Sequence, residues 1–177
     1  FHHSLCTGCR SLDAFRLEQM KIIELDECTS TNDEAWTRFA PPEPLVILDR
    51  KQTHGRGRQG RAWVNSDSYN LLMTLALVPP RKNLSWMPLV AGIAVFEALE
   101  SITKFYTELR TADLRGLRIK WPNDIYSFDN KIGGILCESR VQNDAAYAMT
   151  VGIGLNIFSS PQLEGPIQAT SFFQSAL

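Results

Sequence analysis

The run LVILDRK, Leu45–Lys51, continues directly into QTHGRGRQGRAW, Gln52–Trp63. The first part is short and apolar, which predicts a buried β-strand. The second part repeats glycine and arginine without a strand or helix period, which predicts a loop. Another strand signal follows at Asn70–Val78. The glycine–arginine loop, Gln52–Trp63, is therefore expected between two strands, inside a compact domain.

Two helices are predicted to cover the sheet that these strands belong to. Ser30–Phe39 begins with the capping-box pattern of Thr31 and Glu34 and is followed by prolines. Ser85–Phe105 repeats apolar residues at i, i+3, i+4 and i+7. Further strands are predicted at Lys21–Asp26, Leu117–Trp121, Ile125–Phe128, Ile132–Ser139 and Ala146–Ile153. The third and fourth of these are expected to form a hairpin. The pattern indicates an α+β or α/β layered domain.

Size and composition are typical of one globular domain. The chain has 177 residues, of which 44% are hydrophobic and 21% are charged. Its net charge of -1 gives no general attraction for nucleic acid or an anionic membrane. No apolar run approaches the ~20 residues expected of a membrane span. Four scattered cysteines favour a reducing compartment, so a cytoplasmic location is expected.

The N-terminal residues stand apart from this domain. Residues 1–20 contain Cys6 and Cys9 in a C-x-x-C spacing, near two histidines. The spacing is compatible with half a zinc site or with a redox pair. A zinc knuckle needs a second ligand pair, however, and a redox motif needs a strand–helix context. We therefore expect a poorly ordered or non-native extension, followed by one domain over residues 21–177.

The glycine–arginine loop has the composition of an anion-binding segment. Its glycines leave backbone N–H groups accessible. Arg56, Arg58 and Arg61 supply forked donors that match carboxylate and phosphate oxygens. The P-loop spacing is absent. A solvated basic loop or an RNA-binding Arg–Gly segment is the alternative, but the loop is not repeated and no aromatic platform interleaves its basic residues.

Two further stretches place functional residue types at strand ends. RIKWPND, Arg118–Asp124, delivers Lys120 at the end of an alternating strand, where an ammonium group can face charge developing on a phosphoryl group. Asp124 in the following turn is a candidate Mg²⁺ ligand. KIGGIL, Lys131–Leu136, and VGIGLN, Val151–Asn156, carry glycines inside apolar strands. Such glycines indicate a bulge or the close approach of a ligand or another backbone.

Five stretches, taken together and in this order, resemble the biotin protein ligases. They are Ser30-Thr31-Asn32, Gln52–Trp63, Lys120–Asp124, Lys131–Leu136 and Gly152–Asn156. The resemblance runs from about residue 21 to the C-terminus. It implies a class II synthetase-like biotin/lipoate ligase fold, in which helices cover a mixed, largely antiparallel sheet. The winged-helix DNA-binding domain of some larger members is not expected, and the domain is expected to be truncated at its C-terminus.

The resemblance also implies roles for individual residues. The residues implied to bind biotin are Ser30, Thr31, Asn32, Gln52, Gly55, Arg56, Gly57, Arg58, Lys131, Gly134 and Ile135. The residues implied to bind ATP are Arg58, Arg61, Trp63, Lys120, Asn123 and Asn156. The residues implied to be catalytic are Lys120, Arg56 and Arg58.

The activity that the resemblance implies is ATP-dependent biotinylation of a protein. Biotin and ATP, with Mg²⁺, give biotinyl-5′-AMP, and the biotinyl group then passes to a lysine of a biotin carboxyl-carrier protein. No nucleic-acid or membrane partner is expected, and a homodimer is left open. Two alternatives remain. One is a lipoate or octanoate ligase-like acyl transferase, whose glycine signature differs, and the other is a truncated biotin-binding module without full activity.

Overall fold

One seven-stranded sheet organises the chain. The computed structural model describes residues 20–65, 70–80, 83–105, 116–143, 145–162 and 168–173. The N-terminal C-x-x-C pattern lies outside these residues. The strands are β1 Lys21–Leu25, β2 Leu45–Asp49, β3 Leu71–Leu77, β4 Leu117–Lys120, β5 Asp124–Ser127, β6 Asn130–Gln142 and β7 Ala145–Leu155. The helices are α1 Thr31–Arg38 and α2 Met87–Phe105.

The sheet is mixed and largely antiparallel, as predicted. Its strand order is β1-β2-β3-β7-β6-β5-β4. Only β1 and β2 pair in parallel among the described strands. Parallel neighbours need a crossover connection, and α1 supplies it. The predicted strands and helices are all present. β6 and β7 each extend one to three residues beyond both predicted ends, and together they form a long hairpin.

The two helices cover opposite faces of the sheet. Alternate residues of a strand point to opposite faces, and β3 shows this division. Ala76 of β3 packs with Ala35 of α1, whereas Leu75 packs in the larger core with Val95 and Leu99 of α2. The larger core also takes the odd-numbered side of β7, including Val151. The face that carries α1 is therefore left open over β6 and β7.

The start of α1 differs from the sequence prediction. Ser30 is the N-cap residue, but it makes no capping hydrogen bond through its side chain, and the capping box predicted for Thr31 and Glu34 was wrong. Gln52 Oε1 instead accepts hydrogen bonds from the Thr31 backbone N–H at 2.7 Å and from Thr31 Oγ1 at 3.1 Å. Glu34 pairs with Arg38 one turn later. A partner distant in sequence thus replaces the local cap, because it satisfies the same unpaired N–H.

Helix α2 lies in the most apolar helical segment among the described residues. By length and composition alone, the helical segment Leu84–Lys104 is long and apolar enough to cross a membrane. The helix is not an uninterrupted apolar run, because it contains Glu97 and Glu100. Ala91, Val95 and Leu99 of this helix are buried in the core against the sheet. The helix thus has a packing role in the domain.

The partly buried Cys137 thiol predicts an alkaline sensitivity of the fold. Burial raises the pKa of the Cys137 thiol to about 12. Because this pKa lies above its value in the unfolded chain, the stabilisation is complete below about pH 8.5 and is lost as the pH rises towards 12. We expect the free energy of unfolding to fall between pH 9 and 11. In Cys137→Val the fall should be less steep, and the two slopes should differ by up to about 1.4 kcal/mol per pH unit. Urea unfolding at several pH values measures both slopes, and equal slopes would contradict the assignment.

Candidate active site

A cavity of about 490 Å³ opens on the sheet face that carries α1. It collects residues from the start of α1, the glycine–arginine loop, the turn after β4, and strands β6 and β7. The sequence-predicted residues that line it are Ser30, Thr31, Asn32, Gln52, Arg56, Gly57, Arg58, Arg61, Trp63, Lys120, Asn123, Asp124, Lys131, Gly134, Ile135 and Asn156. Gly55 does not line this cavity and contributes to a neighbouring depression of about 680 Å³ along the loop.

The glycine–arginine loop folds back on itself as a narrow arch. The Trp63 N–H donates to the Gly55 carbonyl at 2.8 Å, and the Gly57 N–H donates to the Arg61 carbonyl at 2.7 Å. A short 3₁₀ turn at Arg58–Gly60 forms the tip. These bonds give the loop a defined shape, and its tip carries arginines into the cavity.

The tip of the loop contacts the turn that follows β4. Arg58 Nη1 donates a hydrogen bond of 3.1 Å to Asn123 Oδ1. Asn123 is itself fixed, because its Nδ2 donates to the Ile135 carbonyl at 2.8 Å and its own carbonyl accepts from the Ile135 N–H at 2.8 Å. The glycine–arginine loop and the turn after β4 therefore meet across one cavity, although Arg58 and Asn123 are 65 positions apart in the sequence.

The floor of the cavity is built from glycines. Gly134 of β6 and Gly154 of β7 are register partners, and Gly152 lies on the same side of β7. A Cβ atom at Gly154 would lie 2.5 Å from the Trp63 indole, and one at Gly152 would overlap the Asn32 side chain. The prediction of close approach at these glycines is confirmed. Gly134, Gly152 and Gly154 together are called the glycine floor below.

Side chains at the start of α1 are held in fixed orientations. Thr74 Oγ1 of β3 lies 2.8 Å from Thr31 Oγ1 and 2.7 Å from Asn32 Oδ1. Thr31, Asn32 and Thr74 are all buried. Asn32 Nδ2 donates to Glu138 Oε2 at 2.8 Å and lies 3.4 Å from Thr150 Oγ1. The amide of Asn32 is thus fully oriented by protein partners.

Lys120 ends β4 on the open side of the cavity. Its Nζ lies 3.3 Å from the Tyr126 hydroxyl and 4.7 Å from the centre of the Tyr126 ring. The strand alternates as predicted, since Ile119 points to the α2 side, where it neighbours Gly92. Lys120 is exposed to solvent. The ammonium group is thus held by an aromatic neighbour and remains accessible from the cavity.

Lys131 and Asp124 form an ion pair beside the glycine floor. Lys131 Nζ lies 2.7 Å from Asp124 Oδ1, and both side chains are only about one-fifth exposed. Lys131 Nζ also lies 5.7 Å from the centre of the Trp63 ring. Among the described residues, no three His, Cys, Asp or Glu side chains group closely enough to hold a metal ion. Asp124 is held at the cavity by its ion pair with Lys131.

Two buried polar atoms at the cavity have no protein partner among the described residues. They are the Trp63 indole Nε1 and the Asn156 side-chain oxygen Oδ1. Asn156 is only 3% exposed. An unpaired buried donor or acceptor costs roughly 1–3 kcal/mol. One donor and one acceptor at the same cavity thus favour a ligand that offers both kinds of group.

A known protein family matches most of this chain. The model of the Biotin/lipoate A/B protein ligase family matches residues 22–156.

The chain belongs to the biotin/lipoate A/B protein ligase family.

Individual members of the family are also similar. The biotin–[acetyl-CoA-carboxylase] ligase of Paracoccus denitrificans is 38% identical over 75% of this chain and 52% of its own length. The Leishmania major biotin protein ligase in complex with biotin has a TM-score of 0.72 and 31% identity, over 89% of this chain and 64% of that chain. The Aquifex aeolicus ligase with biotin and ATP has a TM-score of 0.64 and 33% identity, over 87% and 60%.

The matched region is only part of the related proteins. The chain spans about half, or less, of the length of the curated biotin/lipoate ligase family members that it matches. The fold that this chain shares with the Leishmania major and Aquifex aeolicus structures confirms the predicted class II synthetase-like architecture. The residue roles taken from the family motifs remain predictions for this chain.

Sequence reasoning missed Thr74, Tyr126 and Glu138, which hold predicted site residues in position. Thr74 orients Asn32, Tyr126 contacts Lys120, and Glu138 of β6 binds Asn32. Glu138 could have been found, because it follows Gly134 at a spacing of four on a strand and therefore lies on the same face. Thr74 gives a weaker signal, as a single polar residue inside the apolar run of β3.

Arg56 has partners that the family motif does not specify. Its guanidinium donates to Glu138 Oε1 and Oε2, both at 2.9 Å, and to Asp33 Oδ1 at 2.7 Å. The arrangement with Glu138 is the forked, two-bond pairing that arginine makes with carboxylates. Arg56 is therefore already paired with two carboxylates of the protein.

Proposed function

We propose that this chain is the catalytic region of an ATP-dependent biotin protein ligase. It forms biotinyl-5′-AMP from biotin and ATP and transfers the biotinyl group to a lysine of a biotin carboxyl-carrier protein. The observation that carries the proposal is the Arg58–Asn123 hydrogen bond of 3.1 Å. It brings the glycine–arginine loop to the turn after Lys120, over one cavity with a glycine floor. The similarity to ligases whose structures contain biotin, or biotin and ATP, supports the same activity.

The first step is formation of an acyl-adenylate. A carboxylate oxygen of biotin attacks the α-phosphorus of ATP, and the bond to the pyrophosphate oxygen breaks. Lys120 and Arg58 are proposed to stabilise the charge on the phosphoryl oxygens, because fixed cations aimed at developing charge lower the barrier. Lys131 is proposed to hold the biotin carboxylate. The loop excludes water from the mixed anhydride, which water would hydrolyse.

The second step is acyl transfer. The ε-amine of the carrier lysine attacks the acyl carbon, the bond to the adenylate oxygen breaks, and AMP leaves while the amine loses a proton. The start of α1 and Gln52 are proposed to hold the biotin rings. Trp63 and Asn156 are proposed to contact the adenine, because their unpaired donor and acceptor suit the polar edge of a base.

Mg²⁺ fits this cavity through the nucleotide rather than through a protein cage. In nucleotide sites Mg²⁺ is held largely by phosphate oxygens and water, with one or two carboxylates. Asp124 is the proposed carboxylate, and one of its oxygens is paired with Lys131. Bound Mg²⁺ would neutralise charge on the phosphates.

The remaining parts of the proposal concern the setting of the enzyme. A cytoplasmic location is proposed, supported by Cys28 and Cys137, which are free thiols. The absence of nucleic-acid and membrane partners, and a homodimer, remain predictions from the sequence.

Biotin-dependent exchange between ATP and pyrophosphate tests the proposal directly. We expect exchange and a biotinyl-AMP product, detected by mass spectrometry, when the chain is given biotin and MgATP. Lipoate in place of biotin should give little of either. Exchange that occurs with lipoate but not with biotin would support the lipoate-ligase alternative. Calorimetric binding of biotin without exchange would contradict the proposal in favour of a binding module.

A further inference from the structure

The Glu138 carboxylate is a junction between the cavity and the glycine–arginine loop. It accepts hydrogen bonds from Asn32 Nδ2 at 2.8 Å and from Trp36 Nε1 at 3.4 Å, both on α1. It also accepts two bonds from Arg56 of the loop at 2.9 Å. Its side chain is 28% exposed. One carboxylate therefore connects β6, α1 and the loop.

Besides the Gln52–Thr31 and Arg58–Asn123 hydrogen bonds, two side-chain attachments flank the tip of the loop. At one end, Arg56 is bound by Glu138 and Asp33. At the other, the Trp63 indole lies against Gly154 of the glycine floor. The tip at Arg58–Gly60 lies between these attachments and is exposed. Arg58 and Arg61 are the arginines left to reach a ligand, since their hydrogen-bond partners among the described residues are the neutral side-chain amides of Asn123 and Gln59.

We propose that Glu138 is a positioning residue that anchors the glycine–arginine loop through Arg56 and fixes the amide of Asn32. The inference rests on the proposed function for its catalytic meaning. In this arrangement Arg56 holds the loop in place. It does not have the catalytic role that its position in the motif implies. The charge balance agrees, because one guanidinium faces the carboxylates of Glu138 and Asp33. A third anionic group at Arg56, whether phosphate or carboxylate, would be repelled by these two carboxylates.

The anchor also explains why Asn32 has one orientation. Asn32 Oδ1 accepts from Thr74, and Nδ2 donates to Glu138. A carboxylate accepts only, so it excludes the flipped amide, whose oxygen would face Glu138. Loss of the negative charge of Glu138 should therefore have two effects at once. It should loosen the loop, and it should weaken the preference of Asn32 for this orientation.

Trypsin cleavage of the loop, followed by mass spectrometry, tests the anchor without substrate. Cleavage after Arg58 and Arg61 reports how often the loop opens. We expect Glu138→Gln to speed both cuts about three- to tenfold, the range expected when a charge-assisted pair is weakened. Arg56→Gln should have a similar effect, and the double variant should cut no faster than the single variants. Because no biotin or ATP is added, failure of the proposed function leaves this test unchanged.

Glu34→Gln is the matched control. Glu34 pairs with Arg38, and the side-chain exposures, 26% and 44%, are close to those of Glu138 and Arg56, 28% and 40%. Loop cleavage in this control should match the wild type. A Glu138→Gln rate equal to the control, or additive effects in the double variant, would overturn the proposal. If Glu138→Gln fails to fold, Arg56→Gln decides, because it leaves the Glu138 bonds to α1 intact.

A substrate readout separates positioning from general destabilisation. In Glu138→Gln we expect the Kd for biotin to rise about fivefold, with a melting temperature close to that of Glu34→Gln, because only the orientation of Asn32 and the loop is disturbed. An unchanged Kd together with a lowered melting temperature would show a purely structural role and overturn the inference.

Discussion

Replacing Lys120 by alanine is expected to lower the rate of biotinyl-adenylate formation by roughly 10²–10³, the cost of one preorganised charge partner at a transition state. Lys120 ends β4 at the cavity, and its ammonium group is held beside Tyr126. Single-turnover formation of biotinyl-AMP measures the effect. The affinity for biotin should change little, since the interaction strengthens only as charge develops on the phosphoryl group.

Arg118→Ala is the control for this experiment. Arg118 lies two residues earlier on β4, also near the Tyr126 ring, and pairs with the exposed Asp129. It does not line the cavity. Adenylation by Arg118→Ala should stay within about twofold of wild type, because exposed ion pairs contribute little. Near wild-type adenylation by Lys120→Ala would contradict the assigned role.

The second large effect is expected from Gly154→Ala. The added Cβ would lie 2.5 Å from the Trp63 indole and would force it off the glycine floor. We expect the KM for ATP in the exchange assay to rise about tenfold, equivalent to ~1.4 kcal/mol of binding. Overpacking should also lower stability by about 1–3 kcal/mol.

Gly92→Ala controls for the addition of a methyl group to a packed glycine. Gly92 lies in α2 on the opposite face, where a Cβ would meet the Ile119 side chain at 3.3 Å. This variant can change stability, but it should leave the KM for ATP unchanged. An ATP KM unaffected by Gly154→Ala would show that Trp63 does not form part of the nucleotide site.

Local patterns were sufficient to predict the sheet and the loop. The apolar runs that form β2, β3 and β7 are short and bounded by turn residues, so both their residue pattern and their length indicate strands. The glycines of β7 predicted close approach because glycine is a poor strand former, and the structure shows the neighbours that require it.

Contacts between distant residues could not be predicted in the same way. The Thr31 N–H is satisfied by Gln52 rather than by its own helix. Arg56 and Glu138 are separated by 82 positions in the sequence, so no local pattern shows their pairing. Sequence patterns report local preference and burial, whereas the choice among several carboxylates for one arginine depends on the assembled sheet. The family motif marked Arg56 as important, but only the fold identifies its partners.

The glycine floor limits how this cavity can be redesigned. Glycine is the smallest residue, so any replacement at Gly134, Gly152 or Gly154 makes the cavity shallower and none makes it deeper. Room for a bulkier acid must therefore come from side chains around the rim, such as Leu136 or the indole of Trp63. Engineering of acyl selectivity in this scaffold should thus begin at the rim and leave the peptide surface beneath it untouched.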